Sequence, residues 1–173
     1  MPTVRRVGMV NWIGVFTLYE KEIRRFLKVI TQTVLAPVVT SLLFLAIFTL
    51  ALGRSIDIGE GISYSEFLAP GLVVMAMMQN AFANTSSSIM ISKIQGNIVD
   101  ILMPPLGPGE LLTGFALGGV TRGLIVGGST IITMFLAVGF HAAHWPAALF
   151  FAVSASLAMA LIGIVAVMWA EKF

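Results

Sequence analysis

Few side chains in this sequence have the types and spacing that catalysis or metal binding requires. His141 and His144 are three residues apart and could chelate a metal ion. No carboxylate is adjacent to them in the sequence, and a second interpretation places both histidines at the outer surface of a membrane. The acidic residues lie on predicted loops and tails, so no Ser-His-Asp arrangement is indicated. We therefore predict no metal site and no catalytic residue.

Motifs that would let this chain use an energy source directly are also missing. The sequence contains no GxxxxGK[ST] phosphate loop, so the chain does not bind ATP through that device. No Asp, Glu or Lys falls inside a predicted membrane span, whereas proton-coupled transporters usually carry such a group there. The absence of cysteine excludes disulfides and cysteine-ligated zinc. We predict no cofactor on this chain, and any energy source must be supplied by another protein.

One polar row within an apolar segment has the chemistry of a transport pathway. Asn80, Asn84 and Ser88 recur every four residues, so they share one face of a helix, and Gln79 adjoins them. Uncharged hydrogen-bonding groups suit a translocation pathway. Hydrogen bonding between helices, at about 0.6 kcal/mol per contact, explains the row equally well. Both interpretations remain open at this point.

The elements that must position these residues are membrane-spanning helices. Charged residues make up 10% and hydrophobic residues 58% of the chain, whereas a soluble domain has roughly 25% charged residues. A span needs about 20 apolar residues. Starting the third span at Arg122 keeps that charge away from the bilayer centre, where it would cost about 2.5–3.5 kcal/mol. The sequence therefore predicts an all-α polytopic membrane protein with spans at about residues 34–52, 68–92, 122–140 and 147–170.

An amphipathic helix is predicted before the first span, at residues 12–30. Apolar residues such as Trp12 and Phe16 recur at helical spacing, and a basic side including Arg24 and Lys28 lies opposite. Such a helix suits a membrane surface, where its basic side meets anionic phosphates. Packing against another protein face is the alternative interpretation.

Lysine and arginine residues indicate the orientation. With the spans above, every Lys and Arg except Arg54 falls on one side of the membrane. The positive-inside rule assigns that side to the cytoplasm, so both ends of this chain are predicted to be cytoplasmic. The pI near 9.3 then follows from topology and contact with the lipid bilayer. We predict no nucleic-acid partner.

The segment from Lys93 to Glu110 lies between the second and third spans and contains three prolines. Ile98, Ile101 and Leu102 form an apolar face on a helix of one to two turns, which is too short to be stable without a partner. We predict a cytoplasmic loop that contacts another protein. An unbound turn at the membrane surface is the alternative.

Four segments in this order closely resemble the type 2 ATP-binding-cassette (ABC) exporter permeases: LYEKEIRRFLKVITQTVLAPVVTSLLF, FLAPGLVVMAMMQNAFANTSSS, KIQGNIVDILMPPLGPGELL and GFALGGVTRGLIVG. The resemblance implies a transmembrane subunit in a bacterial-type inner (plasma) membrane. It also implies a second permease copy, most simply as a homodimer, and ABC ATPase subunits that hold ATP and Mg²⁺. In that family the segment between spans two and three forms a coupling helix that docks on the ATPase. By position, the docking residues here are Gln95, Asn97, Ile98, Val99, Asp100, Ile101, Leu102, Met103, Pro104 and Pro105.

Members of that family have six spans, so residues 1–173 resemble one incomplete permease domain that stops after the fourth span. We expect a truncated permease subunit of an ATP-driven exporter, which is not itself an enzyme. The pathway-lining candidates are Gln79, Asn80, Asn84 and Ser88. The alternative function is a non-transporting membrane scaffold or a small oligomeric channel.

Overall fold

Six helices make up the fold of the computed structural model, which describes residues 10–53, 63–139 and 144–170. Four of them, α2, α3, α5 and α6, are long and apolar enough to cross a membrane. No strand occurs in these three ranges. The predicted all-α polytopic membrane fold is therefore confirmed. The helices are α1 (Trp12–Leu27), α2 (Ile30–Leu52), α3 (Tyr64–Ile94), α4 (Ile98–Leu102), α5 (Pro108–Val138) and α6 (Trp145–Trp169).

Local sequence explains where several helices begin and end. Ser63 caps α3 by accepting a hydrogen bond from the Glu66 backbone N–H at 3.3 Å, and the Glu66 carboxylate accepts one from the Ser63 N–H at the same distance. Helix α5 starts with Pro108, whose ring suits a first helical position. It ends before Gly139, whose φ of 68° is readily adopted by glycine.

Helix α3 lies at the centre of the bundle and packs on α2, α5 and α6. Small residues let these helices approach closely. At Gly163 of α6, a Cβ atom would lie only 2.8 Å from the carbonyl oxygen of Phe82 on α3. Gly119 and Gly123 of α5 are buried in the same way, against α3 and α6. This is the close packing that small residues allow between membrane helices.

Helix α1 packs on α5 through one side and leaves another side exposed. Val15, Leu18, Glu22 and Phe26 are buried, while the predicted membrane-facing residues Trp12 and Phe16 are exposed. The structure thus shows the protein contact that the sequence offered only as an alternative. A fully buried glutamate on that side was not predicted.

Arg122 lies in the middle of a continuous α5, whereas the sequence predicted that the third membrane span begins near this residue. The segment before it continues the same helix from Pro108. The expectation rested on the cost of a charge facing lipid, whereas Arg122 turns towards α3 and donates a hydrogen bond to Asn80 Oδ1.

Candidate functional site

The segment that connects α3 to α5 turns sharply before it forms α4. Gly96 lies in the turn after α3 and has a φ of 78°, a conformation that residues with a Cβ rarely adopt. Helix α4 has five residues and no buried residue. We call residues 95–105 the coupling segment, and it contains all the docking residues that the resemblance implied.

The two sides of α4 have different surroundings. Ile98 and Ile101 are half-buried and pack on a core cluster that includes Leu18 of α1 and Phe115 of α5. Val99, Leu102 and Met103 form the exposed apolar face of this segment and are 55%, 60% and 76% exposed. Of the predicted apolar face of Ile98, Ile101 and Leu102, the first two residues therefore face the core and Leu102 is exposed. Two of its three members anchor the helix, because α1 and α5 supply a core beneath it.

The remaining predicted docking residues of this segment are exposed as well. Asn97 Nδ2 donates a hydrogen bond to Gln95 Oε1 at 3.3 Å. The other members of the set are likewise exposed, namely Asp100, Pro104 and Pro105. The structure thus brings the predicted set together on one short segment, with Ile98 and Ile101 turned inwards.

The N-terminal end of α1 holds the coupling segment in place. Asn11 Nδ2 donates a hydrogen bond to the carbonyl oxygen of Pro105 at 3.3 Å, and the Asn11 backbone N–H donates to the Glu110 carboxylate. Between α1 and the coupling segment lies a cleft of about 620 Å³, with Lys21 and Asp100 among its lining residues. Helix α1 therefore supports the segment from the side.

The polar row of α3 faces the interior of the bundle. Asn80, Asn84 and Ser88 are buried, as their shared helix face requires, whereas Gln79 is exposed. Gln79 lines a cleft of about 640 Å³ between α3 and α6, together with methionines such as Met78. Gln79 thus differs from the three residues with which it was grouped in being exposed, although it lines a second cavity together with Asn80.

Charged side chains of α1 meet this row. Ser88 Oγ donates a hydrogen bond to Glu22 Oε1 at 2.6 Å. Arg25 forms an ion pair with Glu22 at 3.2 Å and donates hydrogen bonds to the backbone and side-chain oxygens of Asn84 at 2.8 and 2.9 Å. These contacts are the hydrogen bonding between helices that the sequence offered as one interpretation of the row.

Arg122 of α5 completes this group. Its Nη2 donates to Asn80 Oδ1 at 3.2 Å, and no carboxylate of the described residues forms an ion pair with it. We call the following set the polar cluster: Glu22, Arg25, Asn80, Asn84, Ser88 and Arg122. The sequence analysis did not predict that Glu22 and Arg25 of α1 belong to this cluster. The signal for Glu22 was its spacing of four residues from both Leu18 and Phe26 on the buried side of α1.

Histidine offers no metal site in the part of the chain that the structure describes. His144 precedes α6 and is exposed, and His141 lies outside the described residues. No group of three potential metal ligands occurs among the residues that are described.

Similarity to known proteins decides the family of this four-span bundle. Residues 14–173 match the family model described as ABC-2 type transporter. The chain belongs to the ABC-2 type transporter family. This ABC-2 permease is 38% identical over 135 residues to the inner membrane transport permease YadH of Escherichia coli K12, which covers 78% of the chain and 52% of YadH. The YadH proteins of Escherichia coli O157:H7 and Shigella flexneri match with the same values.

No solved structure matches this ABC-2 permease significantly. The chain spans about half the length of the curated relatives that it matches. Members of this family are membrane permease subunits that do not themselves hydrolyse ATP, so the prediction of a permease subunit rather than an enzyme is confirmed.

Proposed function

We propose that this chain forms the membrane part of an ATP-driven exporter and docks a separate ABC ATPase subunit through the coupling segment. The observation that carries the proposal is the exposed apolar face of Val99, Leu102 and Met103. The face stands on a helix between two membrane spans, where no described part of this chain covers it.

Anchoring makes this face suitable for docking. A five-residue helix is not stable by itself in water. Here Ile98 and Ile101 hold it on the core cluster, and Asn11 holds the loop behind it. A preorganised apolar surface binds a partner at a lower entropic cost than a mobile loop does. Asp100, at the edge of the exposed apolar face, adds a charge that a complementary partner can recognise.

The proposed assembly contains more than this chain. ATP and Mg²⁺ are held by the ATPase subunit, and a second permease copy faces the first across the transport pathway. The membrane is the bacterial inner membrane, as named for the relatives, and both ends of this chain are cytoplasmic by the positive-inside rule. This chain spans about half of its relatives' length. We propose that transport is carried out by the complete assembly.

The proposed pathway passes Gln79. This side chain is exposed and lines the cleft between α3 and α6, where apolar and methionine side chains surround it. Methionine surfaces adapt to ligands of different shape. In this proposal Asn80, Asn84 and Ser88 border the pathway from inside the bundle, where they hold α1 and α5 against α3.

Co-purification with a tagged cognate ABC ATPase tests the docking. We expect Asp100→Arg, and separately a Pro104→Ala/Pro105→Ala double variant, to reduce the recovered permease at least about tenfold, as disruption of an interface centre does. Glu20→Arg is the matched control, because it makes the same charge change on the exposed side of α1. Unchanged recovery of both coupling-segment variants would remove the docking assignment. Ion flux in liposomes without any ATPase would instead favour the oligomeric channel.

A further inference from the structure

The polar cluster contains more positive than negative charge. Glu22 is its only carboxylate among the described residues, and this side chain already pairs with Lys21 at 3.2 Å and with Arg25. It also accepts the hydrogen bond of Ser88. Arg122 is left with the neutral oxygen of Asn80 as its partner.

Two hydrogen-bond donors of the cluster have no partner among the described residues. Arg122 Nε and Asn84 Nδ2 are both buried and unpaired. Asn84 is fully buried, and its Nδ2 points towards α5, where a Cβ atom at Gly118 would lie 3.4 Å from it. Gly118 is one helical turn before Arg122 on α5. The amide of Asn84 and the guanidinium of Arg122 therefore face the same part of the bundle.

A hydrogen-bond acceptor with negative charge would compensate the excess positive charge of the cluster and accept from its two unpaired donors. A buried, uncompensated charge is strongly unfavourable, and a buried donor without a partner adds to that cost. A water molecule can accept from a donor, but it does not compensate a charge. An oxyanion does both, and guanidinium groups bind carboxylates and phosphates through paired N–H donors.

We propose that Arg122, Arg25 and Asn84 form a binding site for an oxyanion, either the phosphate or carboxylate head of an amphiphile or a free anion. The Arg122 residue is only partly buried, although its Nε atom is enclosed. Asn80, which positions Arg122, also lines a cavity of about 230 Å³ between α2 and α3. Thr40 and Ser41 of α2 add hydroxyl groups to that cavity. This gives the anion a polar approach from the side of α2.

Binding of defined probes to the purified full chain in dodecyl maltoside tests the site. Thermal unfolding is followed during titration with dodecyl phosphate and, in parallel, with inorganic phosphate; dodecanol is the neutral control. We expect dodecyl phosphate to raise the unfolding temperature of the unaltered chain. Arg122→Gln should weaken this binding at least about tenfold, because a charged hydrogen-bonding partner is lost. Arg24→Gln removes an equal charge from the exposed side of α1 and should leave the binding unchanged.

Asn84→Asp distinguishes a binding site from a merely structural arginine. The aspartate places an oxygen where Asn84 has its unpaired Nδ2. Its negative charge then compensates Arg25 and Arg122 from within the chain. We expect a higher unfolding temperature without any probe and loss of the response to dodecyl phosphate. The variant also keeps the proposal testable if Arg122→Gln does not fold.

The two probes identify the source of the anion. A response to both supports a site open to free anions, and a response to dodecyl phosphate alone supports an amphiphile head. Two results overturn the proposal: no response of the unaltered chain, or an equal response of the unaltered chain, Arg122→Gln and Asn84→Asp. The latter would mean that the probe binds elsewhere. Because no ATPase is present, failure of the docking proposal does not affect this measurement.

Discussion

The coupling segment and the polar cluster place their residues in opposite ways. The coupling segment exposes apolar side chains, with Met103 at 76% exposure, whereas the cluster buries a glutamate completely. Helix α1 joins them, since Asn11 contacts the loop after α4 and Glu22 contacts Ser88 of α3. An exposed apolar face does not stabilise the folded chain until a partner covers it. A buried ion pair depends on its partners within the chain. Mutations in the cluster should therefore alter stability, while mutations on the exposed apolar face should alter binding.

The largest effect is expected at Glu22. Glu22→Gln keeps the shape of the side chain but leaves Arg25 without its countercharge. Removing one partner of a buried pair costs about 3–5 kcal/mol, and we expect about 3 kcal/mol here because Arg25 is 28% exposed. The free energy of unfolding in mixed dodecyl sulfate and dodecyl maltoside micelles measures it.

Glu20→Gln is the control for this experiment, because Glu20 pairs with Arg24 on the exposed side of the same helix. Exposed pairs contribute about 0–1 kcal/mol. If both variants unfold with the same free energy, the polar cluster does not determine stability, and its contrast with the coupling segment is lost.

A smaller effect is expected where α5 approaches α1. A Cβ atom at Gly118 would lie 2.8 Å from Glu22 Cβ, too close for the two helices to keep their distance. We expect Gly118→Ala to cost about 1–3 kcal/mol of unfolding free energy, as overpacking does. The same micelle titration measures the cost.

Gly128 provides the matched control on the same helix, because a Cβ atom there would meet nothing within 4 Å. Gly128→Ala should be neutral or should stabilise α5 by up to about 1 kcal/mol, since alanine is the better helix former. Equal destabilisation by the two alanines would show that the contact between α1 and α5 is not tight.

Sequence patterns predicted four long apolar helices because the apolar composition of membrane helices is local, but they placed the start of the third span at Arg122, within α5. The row of Asn80, Asn84 and Ser88 was likewise correct as one helix face. The role of Glu22 was missed, because its partner Ser88 is 66 residues away. A charge on α1 is equally compatible with lipid phosphates and with a buried partner until α3 is placed beside it. Spacing alone therefore could not distinguish the lipid-facing side of α1 from its protein-facing side.

The orientation of α4 could not be predicted from the sequence, for a related reason. Both sides of this five-residue helix carry apolar residues, so its amphipathic pattern does not select an inner side. The selection is made by Leu18 and Phe115, which come from helices far apart in the sequence. A helix of one to two turns could thus be predicted here from the sequence, but its outward surface could not.

The smallest effect on stability is expected on the exposed apolar face itself. Leu102→Ser should change the unfolding free energy by less than about 0.5 kcal/mol, because the side chain is 60% exposed. The same variant should lower ATPase recovery about tenfold, as loss of an interface anchor does. Ile101→Ser, on the anchored side, should instead cost about 1–2 kcal/mol in unfolding free energy, as a weakened core contact does. Because adjacent residues then affect different measurements, a reversed pattern would mean that α4 presents its other side to the partner.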